Sequence, residues 1–97
     1  MTNQEIASTI LHQLGGNKFI AMTGSKNFIC GNRSLTMQLT RNLAGAKYLR
    51  ITLNGNDLYN MEFIANKDLK VKVKHEDVYN DMLQVMFTKS TGLYTYL

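Results

Sequence analysis

The chain contains no proline and a single cysteine, Cys30, among its 97 residues. Without proline, no candidate strand is ruled out by a missing ladder donor. With one thiol, no internal disulfide can form, which fits a reducing compartment. No apolar run approaches the roughly 20 residues that a membrane helix needs. The apolar positions from Ile6 to Leu14 lie on one face only and are broken by His12 and Gln13 after Glu5, so they do not read as a secretory leader. These absences predict a cytoplasmic protein that makes no membrane contact. Repeats, linkers and low-complexity tracts are also missing.

What remains is enough for one core. The length suits a single domain, residues 1–97, and the apolar fraction of 44% is that of a globular chain. Eleven basic side chains face seven acidic ones, for a net charge of +4. That mild excess permits a nucleic-acid or acidic-protein partner without requiring one.

The first helix is announced by Thr2 and Glu5, in the T-x-x-E spacing of a capping box. Ile6, Ala7, Ile10, Leu11 and Leu14 then recur at helical spacing, and Gly15-Gly16 stops the helix. Lys18–Thr23 reads as a buried strand, and Asn27–Cys30 as a second extended piece closed by a Gly31-Asn32 turn. Ser34–Thr40 alternates, with Leu35, Met37 and Leu39 on one side. Lys47–Leu53 alternates in the same way through Leu49, Ile51 and Leu53. Asn54-Gly55 opens a hairpin loop that Asn56 lengthens, and Leu58–Ile64 returns with Tyr59, Met61 and Phe63 inward. Leu69–Lys74 is the last strand, with Leu69, Val71 and Val73 toward the core. A closing helix is expected over about Glu76–Lys89, stopped by Gly92. Its apolar face would be Val78, Tyr79, Met82, Leu83, Val85, Met86 and Phe87, with Glu76, Asp77 and Asp81 favoured by the dipole at its start. The pattern predicts an α+β fold: an antiparallel meander of about five strands, with the N-terminal and C-terminal helices packed on one face.

Lys70, Lys72 and Lys74 are the sharpest chemical feature. At strand spacing they project about 7 Å apart from one side. In a meander, Arg50, Tyr48 and Thr52 lie on the same sheet face, and such a surface can follow phosphates while an aromatic stacks a base. Alternating lysine also solubilises a sheet and guards its edge, so the row has a purely structural explanation too. Leu93, Tyr94, Tyr96 and Leu97 form an apolar tail that either covers the core or contacts a second copy.

No catalytic or metal-binding signature stands out, and no cofactor is implied. Gly15-Gly16-Asn17-Lys18 follows a helix and precedes an extended stretch, the reverse of a phosphate loop. Cys30, His12 and His75 have no nucleophile–base spacing. His75 with Glu76, Asp77 and Asp81 lacks the second His or Cys of a closed zinc site.

Gly15–Phe28, Tyr79-Asn80-Asp81-Met82-Leu83, Phe87-Thr88 and Thr91-Gly92-Leu93-Tyr94 together resemble a family of small proteins encoded by bacteriophages and integrated mobile elements. The resemblance spans nearly the whole chain. It implies action inside a host cell and assigns no catalytic residue. The expectation is therefore a non-enzymatic binding protein whose basic sheet face, Lys70, Lys72, Lys74 and Arg50 with Tyr48, contacts nucleic acid or an acidic host-protein surface. A second reading is a homodimeric module that inhibits a host defence component through a sheet edge or the tail. A third is a small enzyme using Cys30.

Overall fold

A computed structural model describes residues 1–95. Helix α1, Asn3–Leu14, starts at the predicted box: Glu5 N donates to Thr2 Oγ1 and Thr2 N donates to Glu5 Oε1. These hydrogen bonds also hold the Glu5 carboxyl below its ordinary value. Its buried stripe is Ile6, Ala7, Ile10 and Leu14. Gly15 and Gly16 then take positive φ, and Gly16 (φ 61, ψ −133) holds a backbone shape reserved for glycine. That pair reverses the chain within two residues.

The segment after the glycines is a helix, α2 (Asn17–Thr23), and the expected strand at Lys18–Thr23 is corrected. A short apolar run cannot be told from a buried strand by pattern alone. Here Phe19 and Thr23, four apart, are the buried pair, and Thr23 Oγ1 donates to Phe19 O. Helical spacing wins because Phe19 can then enter the core edge-on to Phe87, at a centroid distance of 5.0 Å.

Five antiparallel strands follow in chain order, β1-β2-β3-β4-β5. They are β1 Lys26–Gly31, β2 Ser34–Gln38, β3 Tyr48–Leu53, β4 Tyr59–Ile64 and β5 Val71–Val78. The meander and the α+β class are as the alternation foretold. Leu35, Met37, Leu49, Ile51, Met61 and Phe63 form a buried inner face under the helices. The first turn falls at Asn32-Arg33, with Gly31 paired to Ser34, one residue later than expected. Arg33 supplies the positive φ there, not Gly31. The β3–β4 loop is lengthened as expected, and Asn54 Oδ1 accepts from the backbone N of Asn56 and Leu58.

The last third departs most from expectation. Leu69 lies outside the core, two-thirds exposed, at φ +56. Val71 is also exposed and Val73 half-buried. Strand β5 continues to Val78, past the point where a helix was expected. Two bulges bend it, one beside Val71–Val73 and one between His75 and Val78. Asp77 takes φ +55 in the second bulge, where its N donates to Asn60 Oδ1 and its Oδ1 accepts from Asn54 Nδ2. Glu76 and Asp77 are thus strand residues and have no helix dipole to serve. A single 3-10 turn, Asn80–Met82, leads into α3, Leu83–Thr91. Leu83 and Phe87 are buried, whereas Tyr79, Met82 and Val85 are exposed and Val78 is buried from the strand. Gly92 ends α3 in the left-handed conformation. Beyond it Leu93 is half-buried, Tyr94 exposed and Thr95 buried; Tyr96 and Leu97 lie outside the described residues.

Candidate nucleic-acid interface

The strand register arranges the sheet's open face in rungs. One rung runs Thr36, Arg50, Glu62, Lys74 across β2 to β5. Arg50 Nε and Nη2 both reach Glu62 Oε1 at 3.0 Å. Lys74 Nζ lies 3.4 Å from Glu76 Oε1. Two of the expected phosphate contacts therefore already have carboxylate partners. The next rung on that face runs Lys26, Gln38, Tyr48, Ile64, Val71 and closes one end of the sheet. Tyr48 stands there half-buried, beside Lys47.

Lys70, Lys72 and Lys74 do not form one row. Lys70 precedes β5, and its O accepts from Ala65 N across the β4–β5 loop. Lys72 is the extra residue of the first bulge, between Val71 and Val73. Its Nζ lies 3.7 Å from where a Cβ on Gly45 would stand, so it reaches toward the β2–β3 loop. Of the three, only Lys74 pairs into the rung that holds Arg50.

A meander puts the start of β1, the β2–β3 loop and the β4–β5 loop at one end of the sheet. Lys26, Arg41, Lys47, Lys67, Lys70 and Lys72 gather there, and Asp68 is the one carboxylate among the described residues at that end. The opposite end carries Glu5, Asp57, Glu76, Asp77 and Asp81 with Arg33. Arg33 N donates to Asn3 Oδ1, which places the start of α1 at that second end. The chain is thus charge-polarised along its strands, far more than a net +4 suggests.

The basic end is also shaped. Asn42 organises the β2–β3 loop: its Oδ1 accepts from Ala44 N and Ala46 N, and its Nδ2 donates to Thr40 O and Ala46 O. Lys47 N donates to Ile64 O and Leu43 N to Thr91 O, which fasten that loop to β4 and α3. Between this loop and Asn66 lies an open groove of about 420 Å³ with Arg41 and Lys47 on its wall. Arg41, Lys47, Lys67 and Lys26 lie outside the expected lysine row. The signal was available, because in a meander alternate connections share an end.

The remaining candidates do not assemble. Cys30 is exposed on edge strand β1 while His75 is on β5, four strand spacings or about 19 Å away. His75 Nε2 instead meets Ser90 Oγ at 2.7 Å, pinning β5 to α3. Burial, and secondarily the Lys89 charge, hold the His75 imidazole below its ordinary value. Among the described residues no group of three His, Cys, Asp or Glu is placed to hold a metal ion. No helix among them is long and apolar enough to cross a membrane. In comparisons with known proteins, no family model, curated protein or solved structure matches this chain.

Proposed function

We propose that this chain binds nucleic acid, without catalysis, through the basic end of its sheet. The observation that carries the reading is the segregation of charge: six basic side chains, named above, at one end of the sheet with one carboxylate among the described residues there, Arg41 and Lys47 lining the groove. Fixed cations of one sign on a rigid loop frame attract phosphates and release condensed counterions on binding. Tyr48, on the last rung, offers a ring on which a base can stack. Lys70 and Lys72 remain in this site. Arg50 and Lys74 recede from it because Glu62 and Glu76 offset their charges. The resemblance to small phage and mobile-element proteins would set this binding inside a host cell.

Fluorescence anisotropy of labelled single- and double-stranded DNA and RNA tests the reading. About five neutralised phosphates on a duplex give a salt slope near −4.5, so affinity should fall about 500-fold between roughly 50 and 200 mM salt. Arg41→Glu with Lys67→Glu, both exposed loop changes, should abolish binding and leave the circular dichroism spectrum unchanged. Absence of binding at the lower salt overturns the proposal and directs the search to an acidic protein partner.

A further inference from the structure

The fifth strand carries a second, independent surface. β5 ends the sheet, and among the described residues no strand pairs with its outer edge. Its charges are ordered along the chain. Lys70, Lys72 and Lys74 all precede Glu76 and Asp77, with His75 between the two sets. Laid beside a parallel copy, this strand would face like charges. Laid beside an antiparallel copy centred on His75, it places Lys74 against Glu76.

We infer that β5 is a self-complementary edge, and that two copies of this chain pair antiparallel along it about a two-fold axis near His75. With the axis at His75, Lys74 of one copy stands opposite Glu76 of the other. The existing Lys74–Glu76 contact within each strand then becomes half of a ring of four alternating charges. Directly opposed unlike charges are a favourable cross-strand pair.

The flanks of the strand match as well. Leu69, Val71, Tyr79 and Met82 are exposed along this edge. The two-fold sets Val71 opposite Tyr79, and Leu69 comes beside the Met82 and Met86 wall of an open groove of about 410 Å³. These apolar side chains stand in two groups, one at each end of the charged stretch, and the two-fold brings a group of one copy to the other group of its partner. The bulges on either side of Val73–His75 bend β5 and keep the paired stretch short. The product would be one ten-stranded sheet with the helices of both copies on the same face. The two basic ends would point in opposite directions, leaving each free for its own nucleic acid.

Sedimentation equilibrium over a concentration series tests this, with two charge-reversed chains. One is Lys74→Glu; the other is Glu76→Lys. The wild-type chain should reach twice its 11.0 kDa mass at low salt and dissociate as salt rises. Neither variant should dimerise alone, and an equimolar mixture should recover the dimer. A wild type that stays monomeric at about 1 mM, near the weakest affinity of interest, overturns the inference. So does a dimer that both variants retain. Should a variant fail to fold, hydrogen exchange of wild-type β5 decides: its amides must gain protection with protein concentration, and unchanged protection overturns the pairing. Lys26, Arg41, Lys47, Lys67, Lys70 and Lys72 of the basic end are unchanged in both variants, so the two proposals fail separately.

Discussion

Arg50 and Glu62 face each other across β3 and β4, and the guanidinium reaches one carboxylate oxygen through two nitrogens, each at 3.0 Å. The arginine side chain is 45% exposed, so this pair contributes little to stability, in keeping with surface ion pairs generally. Its consequence is for binding. Glu62 cancels a positive charge on the open sheet face that Tyr48 shares.

Glu62→Gln should therefore tighten nucleic-acid binding. The freed guanidinium adds about one phosphate contact, which steepens the salt slope by roughly 0.9 on duplex DNA. Arg50→Gln in the wild-type background should change the slope little. Anisotropy titrations of both variants at several salt concentrations check this. An unchanged slope in Glu62→Gln would confine the interface to the loop end.

A second prediction concerns acid. His75 is held below its ordinary value of 6.5 by burial and by Lys89. The unfolded chain, with an unperturbed imidazole, therefore binds this proton first as pH falls. The contribution of His75 leaves stability constant above pH 6.5, lowers it as pH falls from 6.5 toward the depressed native value, and is flat again below that. His75→Gln removes this component and can keep a hydrogen bond to Ser90. Urea midpoints measured on either side of pH 6.5 should converge in the variant. A wild-type chain whose stability rises on acidification through this window would contradict the assignment.

The core makes a third. Phe87 of α3 lies edge-on to Phe19 of α2 and tilted against Phe63 of β4, at 5.0 and 6.4 Å between centroids. It is the ring that joins both helices to the sheet, and it is fully buried. Phe87→Ala should cost about 3–5 kcal/mol, a large share of the about 5–15 kcal/mol available to a domain of this size. Val85→Ala, two residues earlier on the exposed face, should be nearly neutral. Equal losses at the two positions in denaturant unfolding would show α3 packed otherwise.

The parts of this fold that were legible are those in which local pattern and long-range packing agree. The Thr2–Glu5 box, the alternation of Ser34–Gln38 and Tyr48–Leu53, and the Asn54-Gly55 loop each carry their own signal. Segment Lys18–Thr23 failed because six residues hold too little periodicity to separate a buried strand from a helical turn and a half. Segment Leu69–Val78 failed for a different reason. Its two bulges insert residues that break the period of two, so Lys72 leaves the predicted row, while Leu69 stands before β5 at positive φ and outside the core. The second bulge depends on Asn54 and Asn60, which come from the β3–β4 hairpin. The basic end has no local signature, because its side chains are scattered along the sequence. Arg41, Lys47 and Lys67 become neighbours only when the meander is closed.

Leu69 provides the last prediction. A leucine at φ +56 occupies a conformation that costs an L-residue about 1–2 kcal/mol, and two-thirds of its surface lies in water, where burial returns little. On the isolated chain that is strain without a compensating contact. Leu69→Asn replaces it with a residue that tolerates the left-handed region, and should stabilise the monomer by up to about 1 kcal/mol, or raise Tm by about 4–8 °C for a domain of this size. If the β5 edge pairs with a second copy, the same change removes an apolar side chain from beside Met82 and Met86 and should weaken the dimer. Thermal unfolding in dilute solution and sedimentation in concentrated solution then move in opposite directions. A gain in both would show that Leu69 has no role at the edge. A loss of monomer stability would mean that its side chain makes a contact the exposed geometry does not provide.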